Sequence, residues 1–391
     1  MVEATIEEAL DVRSRTEMES RHRALAELCR ATGVRGLLFF GNDAARHHIR
    51  YLTGWPPGWD TYALVWPTAR TALWIPSENH LPSAREVASE SVDVDWIGPD
   101  PIATLTTAIR RRIRPSARPA RLGLVGPIPY STHAELALHL AGIELVDVTA
   151  EFVRGRLVKS AEEIEGTRAA AALADVAIET LRREMRPGVR DFELGAAVEN
   201  AYRRLGGEHG ICFLASTPMS GGGRLVPAQV WSDRTLSDGD MVMIELSVGV
   251  GGSTSQVLRT IALGTPTPTV RGLHEVADRA FSTLLDETRP GTSAARLLEV
   301  AGLIDEAGLA VVDDVVHGYG GGYLPPVLRT PATQRRPPPD LSLQPGMMLV
   351  IQPNVVTADG SLGVQTGELV VVTDDGAERF HRLPTGLLEV W

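Results

Sequence analysis

Between Asp238 and Thr260 the chain reads DGDMVMIELSVGVGGSTSQVLRT, in which two apolar runs, Met241 to Leu246 and Val257 to Leu263, flank a glycine-rich turn. That pattern predicts a β-hairpin or two adjacent strands. Glu245 stands inside the first run and Gln256 opens the second. A carboxylate in an apolar strand is costly unless it is paired or reaches a cleft, so Glu245 is a candidate acid–base group. An imidazole stands at His317, between the apolar run Val311 to Val316, expected as a strand, and a glycine-rich segment ending at Tyr323. This position would leave the ring beside a cavity, although such an imidazole taken alone reads more often as an ordinary buried histidine. A third arrangement is His209 with Cys212, for which nucleophilic attack and a buried structural thiol are both open readings.

The elements that must hold these groups fall into two sets. From the start, residues 6–32 read as a helix stopped by Gly33, and Val34 to Phe40, Thr61 to Pro67, Thr71 to Ile75 and Arg121 to Val125 read as strands. Helices are expected at Ile102 to Arg114 and His133 to Leu140, so the first 153 residues form a small α/β domain. A second domain, 154–391, opens with Ser160 capping an acidic first turn, and helices are expected at Ala161 to Arg183, Asp191 to Leu205 and Val270 to Glu287. Pro325 to Pro339, PPVLRTPATQRRPPP, reads as an extended surface loop, either a rim of the site or a decoration.

Composition bounds the possibilities. The chain has 391 residues, 43% of them hydrophobic and 22% charged, enough for two domains with a sizeable core. No apolar run reaches the length of a membrane span, and the acidic, mixed start does not resemble a secretion signal, so a cytoplasmic protein without a membrane partner is expected. A net charge of -11 argues against nucleic acid as a partner, the basic run Arg110 to Arg114 and Arg335-Arg336 reading as a solvated face and a loop. Two cysteines, Cys29 and Cys212, make neither a disulfide framework nor a metal cluster.

Several segments together resemble the pita-bread family that includes methionine aminopeptidase, prolidase, aminopeptidase P and creatinase. They are Ser237 to Val242 leading into the hairpin, Leu258-Arg259-Thr260 closing it, Val316 to Gly320, Leu343 to Met347, and Gly363-Val364 ahead of Val370 to Gly376. Arg50 to Gly54 is similar to the loop that ends the first strand of the amino-terminal domain of creatinase and prolidase. The resemblance implies an α/β (α+β) chain with a small creatinase-type domain and a pita-bread catalytic domain. It also implies a homodimer and an internal duplication, marked by Arg186-Pro187-Gly188 and Arg289-Pro290-Gly291.

In metallopeptidases of this family two Asp, one His and two Glu hold two metal ions, and by the resemblance these positions fall on Glu245, Gln256, His317, Gln352 and Gly367. Paired dications need anionic oxygen ligands, and amides that donate as well as accept suit an organic ligand better, so no metal and no cofactor are expected. Glu368 restores a carboxylate only if a bulge turns it inward. The family's shuttle histidines fall on Leu324 and near Ala228, and creatinase's own acid–base residues are also replaced.

What remains is His317 with Glu245 as the catalytic pair, helped by Glu368, acting on a small-molecule substrate. Gln256, Gln352 and Gln229 would orient the substrate, Trp231, Tyr319 and Tyr323 would line an apolar pocket, and Arg224 or Arg259, the latter also open to a structural role, would hold a carboxylate. The favoured reading is a metal-independent hydrolase or lyase of a C–N bond in an amide, amidine or amino-acid derivative. A catalytically dead domain serving as a scaffold, and an Xaa-Pro-type metallopeptidase with altered ligands, are the alternatives.

Overall fold

The computed structural model describes residues 14–113 and 119–391. Residues 6–13 of the expected first helix, and Arg114, lie outside this range. The described chain divides into two compact units, one ending at Arg156 and the other running from Leu157 to Trp391.

The first unit contains helix α1 (Arg15–Thr32), β1 (Leu37–Gly41), α2 (Arg46–Thr53), β2 (Thr61–Trp66), β3 (Ala69–Ile75) and α3 (Leu81–Val87). It continues through β4 (Val92–Trp96), α4 (Pro101–Arg112), β5 (Ala120–Val125), α5 (Tyr130–His139), β6 (Ile143–Asp147) and α6 (Thr149–Gly155). Six strands make one mixed sheet in the order β4-β3-β2-β1-β5-β6. Ser14 accepts from the Glu17 N–H to begin α1, and Gly33 ends it at φ 69°, the left-handed conformation that favours glycine. Cys29 is buried in the core beside Leu25 and Phe39. Arg50 to Gly54, expected as a loop, is instead the last turn of α2 and its Gly54 cap. Strands β4 and β6 escaped the sequence pattern because each carries charged residues on an exposed face, as in VDVDW.

In the second unit, α7 (Ala161–Glu184) and α8 (Asp191–Arg203) precede β7 (Glu208–Pro218), β8 (Asp240–Val250) and β9 (Ser253–Leu263). Then come α9 (Pro268–Glu287), α10 (Ala294–Ala301), α11 (Leu303–Glu306), β10 (Val316–Tyr319), β11 (Tyr323–Leu328), β12 (Met348–Ile351) and β13 (Asn354–Val356). The unit closes with β14 (Gly363–Gln365), β15 (Gly367–Val372), β16 (Ala377–Arg379) and β17 (Leu388–Val390). The sheet runs β11-β10-β12-β15-β9-β8-β7, with β16 paired to β15 and β17 to β9, while β13 and β14 form a separate pair.

Ser160 and Glu163 form a reciprocal capping box at the start of α7, and Leu173, Ala177, Ile178 and Leu181 bury its stripe against Val242, Ile244 and Val257. The β8–β9 hairpin turns through Gly251 and Gly252 at φ 54° and 84°, the two positive values that a tight two-residue connection requires. Two expectations change here. His317 lies within a strand rather than after one, because pairing with β12 begins only at Val316. The proline-rich segment starts as edge strand β11, where a missing N–H on the solvent side breaks no ladder; only its later residues form a loop.

Candidate functional site

Residues directly opposed across antiparallel strands share a face of the sheet. Glu245 opposes Leu258, Ser247 opposes Gln256, and Leu258 in turn opposes Gly367. Val350 opposes both His317 and Leu369, which places His317 on the same face as Glu245, Gln256 and Gly367. Neighbours along a strand point the other way. Glu368 and Arg259 are therefore on the reverse face, in regular register, with no bulge turning Glu368 inward.

Glu245 is buried and accepts a 2.6 Å hydrogen bond from the Gln256 side-chain amide. Burial, reinforced by the nearby Asp313 charge, lifts its pKa from 4.5 to about 7. The Gln365 side chain approaches the same carboxyl and works in the opposite direction. Gln256 is held from behind, where its backbone carbonyl accepts from His381 Nε2 at 3.1 Å; His381 Nδ1 lies 2.7 Å from Asp175 Oδ1.

The His317 ring is fully buried, and its Nδ1 donates to the Gly318 carbonyl at 3.0 Å, leaving Nε2 as an acceptor. Burial drives its pKa down from 6.5 to about 4, so the imidazole is neutral at pH 7. Its Nε2 has no hydrogen-bond partner; Asp314 Oδ2 lies 3.9 Å away. Glu245 and His317 therefore share a face but make no direct hydrogen bond. Gln352 donates from Nε2 to the Asp314 carbonyl and to Asp314 Oδ2, both at 3.3 Å, while its Oε1 stays unpartnered.

Three polar residues that sequence reasoning passed over belong to this cluster. Asp314 is pushed up to about 8 by burial, then by Asp313 and Glu245. Asn354 fixes the loop that carries the two aspartates, accepting from the Val312 and Asp313 N–H groups at 2.9 and 2.8 Å and donating to the Asp314 carbonyl. Gln365, at the end of β14, is fully buried with both side-chain polar atoms unpartnered. Adjacent acidic residues just before the strand bearing His317 were the available sequence signal for the aspartates.

The other candidates divide. The Tyr323 ring stacks on His317 with centroids 3.9 Å apart and 14° between planes, and burial raises its hydroxyl pKa. Tyr319 packs edge-on to the same imidazole and donates to Ser247 Oγ at 3.0 Å. Trp231 goes elsewhere: its ring lies against Gly195 of α8 and its Nε1 donates to the Cys212 carbonyl at 2.8 Å. Gln229 and Arg224 are exposed on the connection between β7 and β8. Glu368 is fully buried between two guanidinium groups, Arg259 Nη2 at 2.6 Å and Arg379 Nε at 2.5 Å. Burial alone would raise its pKa; the hydrogen bonds and charges of Arg379 and Arg259 hold it below the usual carboxylate value. Cys212 packs in the core with its thiol pushed up to about 12 by burial, and His209 is 3.0 Å from Glu199, so these two do not form a nucleophilic pair.

Comparison with known proteins gives two family matches. Residues 165–374 match Metallopeptidase family M24, and residues 21–158 match the Creatinase/Prolidase N-terminal domain. The chain is 28% identical over 234 residues to an Xaa-Pro dipeptidase of Pyrococcus furiosus, covering 60% of this chain and 65% of that one. It is 27% identical over 335 residues to a probable dipeptidase PepE of Mycobacterium tuberculosis, covering 84% and 85%. The fold is similar to an X-Pro aminopeptidase structure from Thermotoga maritima, with a TM-score of 0.81 at 20% identity over 95% of this chain and 99% of that one. It is also similar to a dipeptidase PepE structure from Mycobacterium ulcerans, with a TM-score of 0.78 at 24% identity over 97% and 100%.

A metallopeptidase match implies bound metal, and the donor set tests it. Two of the five positions, Gln256 and Gln352, present neutral amides, and the Gln256 N–H group is directed at Glu245, where bridging dications would need negative oxygen. Gly367 has φ +151°, and a Cβ there would meet the Ile351 carbonyl oxygen and the Gln352 Cα, so no carboxylate side chain fits at that position. Among the described residues no group of three or more His, Cys, Asp or Glu is arranged to hold a metal ion. These residues do not fit a two-metal centre.

Proposed function

We propose, from the premise that the chain belongs to metallopeptidase family M24, that it hydrolyses a C–N bond of a small substrate with side-chain acid–base groups in place of paired metals. The observation that carries this reading is Glu245, a buried carboxyl with a pKa near 7, held by Gln256 on the face it shares with His317. As carboxylate, Glu245 takes a proton from a water molecule while the water oxygen bonds to the substrate carbonyl carbon. The protonated carboxyl then returns that proton to the departing nitrogen as the C–N bond breaks, giving a carboxylic acid and an amine. Neutral His317 offers Nε2 as an acceptor that fixes a substrate N–H.

The similar proteins named as dipeptidases and Xaa-Pro dipeptidases support a dipeptide, an amino-acid amide or a related derivative as the substrate. The same resemblance supports a homodimer, and a cytoplasmic setting remains our expectation. Among the described residues no helix is long and apolar enough to cross a membrane. A second reading, an Xaa-Pro metallopeptidase with altered ligands, is favoured by Asp314 and His317 standing 3.9 Å apart and by the names of the relatives.

The test is a panel of Xaa-Pro dipeptides, amino-acid amides and amidines incubated with wild-type protein and with His317→Ala, followed by amine release. Hydrolysis of at least one compound by wild type, with loss in the variant, is the expected result. A folded wild-type protein that cleaves none of them contradicts the assignment.

A further inference from the structure

Strand β9 has a neighbour along only part of the edge that faces away from β8. It pairs with β15 at Leu258 and Val257, opposite Gly367 and Glu368, and from Val370 onward β15 is paired with β16 instead. Gln256 lies just past the end of that ladder, where a buried strand carbonyl requires a donor from elsewhere. His381, which follows β16, supplies it: Nε2 donates to the Gln256 carbonyl at 3.1 Å. On its other side the ring meets Asp175 of α7, with Nδ1 2.7 Å from Oδ1, and Asp175 Oδ2 accepts from the Arg382 N–H at 2.8 Å. The imidazole is fully buried between these two contacts. A carboxylate and a backbone carbonyl are both acceptors, so both ring nitrogens donate and the ring carries two protons. The neighbouring charges agree. Glu368 is answered by Arg259 and Arg379, which leaves Asp175 as the carboxylate that answers His381. Turning the ring away would strand a buried charge, so the pair holds the imidazole in one orientation.

We propose that His381, braced by Asp175, is a positioning residue for the acid–base chemistry: it fixes the β9 backbone at Gln256 so that the Gln256 amide meets the Glu245 carboxyl. The path is short. The imidazole grips the carbonyl of residue 256, and the side chain of the same residue donates to Glu245 at 2.6 Å. Hydrogen bonds weaken steeply with misalignment, so play in the backbone at Gln256 is felt at the carboxyl. The division of labour with Glu368 is clear: Arg259, which pairs with Glu368, grips the Gly367 carbonyl, whereas His381 grips the residue that clamps the reacting carboxyl. The role rests on the hydrolase reading above and adds to it a residue that acts only through Gln256.

Three measurements on the full chain test the role. In ¹⁵N NMR spectra of wild type at pH 7 the His381 ring is expected to show both nitrogens protonated, and a ring with one bare nitrogen overturns the brace. Hydrogen exchange of the β9 amides around Gln256, read by mass spectrometry, is expected to quicken about tenfold in His381→Leu; unchanged exchange in the folded variant overturns the hold on β9. Turnover of the amide or dipeptide that wild type cleaves best is expected to fall about tenfold or more in His381→Leu, with KM nearly constant. The same substitution added to Gln256→Ala is expected to have no further effect, the signature of a residue that acts through Gln256. Losses that multiply, as they do for independent residues, overturn the positioning role. Thermal melting checks each variant for folding, and Asp175→Asn takes the place of His381→Leu where the latter does not fold. The two readings fail separately. A doubly protonated ring and quickened exchange, with no compound hydrolysed by wild type, remove the hydrolase reading alone, whereas Glu245-dependent hydrolysis that is undiminished in folded His381→Leu removes the positioning role alone.

Discussion

Glu245→Gln is expected to lower turnover by about 10²- to 10⁴-fold, the contribution of a positioned general acid–base group, while leaving the protein folded. The substitution keeps shape and removes the titrating proton. It also removes a carboxyl whose folded pKa is raised from 4.5 to about 7. A raised pKa means that the stabilisation is complete below the unfolded value and is lost as pH climbs through the folded one. The wild-type protein therefore loses stability from Glu245 between about pH 4.5 and 7, and Asp314, raised from 3.8 to about 8, acts in the same direction. Glu245→Gln is accordingly expected to match wild type near pH 4 and to exceed it at pH 8, by on the order of 1–3 kcal/mol. Steady-state kinetics and urea denaturation at the two pH values check both halves. Unchanged turnover in a folded variant removes Glu245 from the chemistry.

The largest stability effect is expected at Glu368. Its carboxylate and the Arg259 guanidinium are both fully buried, and Arg379 completes the triad. Arg259 Nη1 also donates to the Gly367 carbonyl at 2.8 Å, so the triad holds the backbone just where the site face loses its last carboxylate position. Glu368→Gln leaves a buried cation without its counter-charge, a change that costs about 3–5 kcal/mol. The folded pKa of Glu368 lies below 4.5, so this stabilisation is present above that value and is lost as pH falls. Chemical denaturation of Glu368→Gln at pH 7 measures the loss, and turnover per folded molecule is expected to stay within a few fold of wild type. A large catalytic defect with little destabilisation would place Glu368 in the chemistry instead.

These two glutamates show what could be read from the chain and what could not. The hairpin was legible because two apolar runs flank paired glycines, and the two-residue turn then puts Glu245 and Gln256 on one face. The long helices were legible from capping residues and apolar spacing, as at Ser160. Side-chain direction was harder. Glu368 follows Gly367 in sequence, and only the strand register shows that it points to the opposite face and meets Arg259. Asp313 and Asp314 lie in an irregular segment, and Gln365 ends a three-residue strand, so no periodicity announced any of them. Trp231 looked like pocket lining because aromatic residues often are; its indole instead packs on Gly195, a contact between segments that sequence spacing cannot show. The prolines of β11 suggested a loop because edge position, which tolerates them, is a property of the assembled sheet.

Hydrolysis of the best amide or dipeptide substrate by protein stripped of metal with a strong chelator, with residual Mn, Co and Zn measured by elemental analysis, tests the central claim most directly. Acid–base catalysis by Glu245 predicts turnover equal to that of untreated protein and no gain when Mn²⁺, Co²⁺ or Zn²⁺ is added back. Turnover that vanishes on chelation and returns with one of these ions would contradict the account and establish a metallopeptidase with altered ligands.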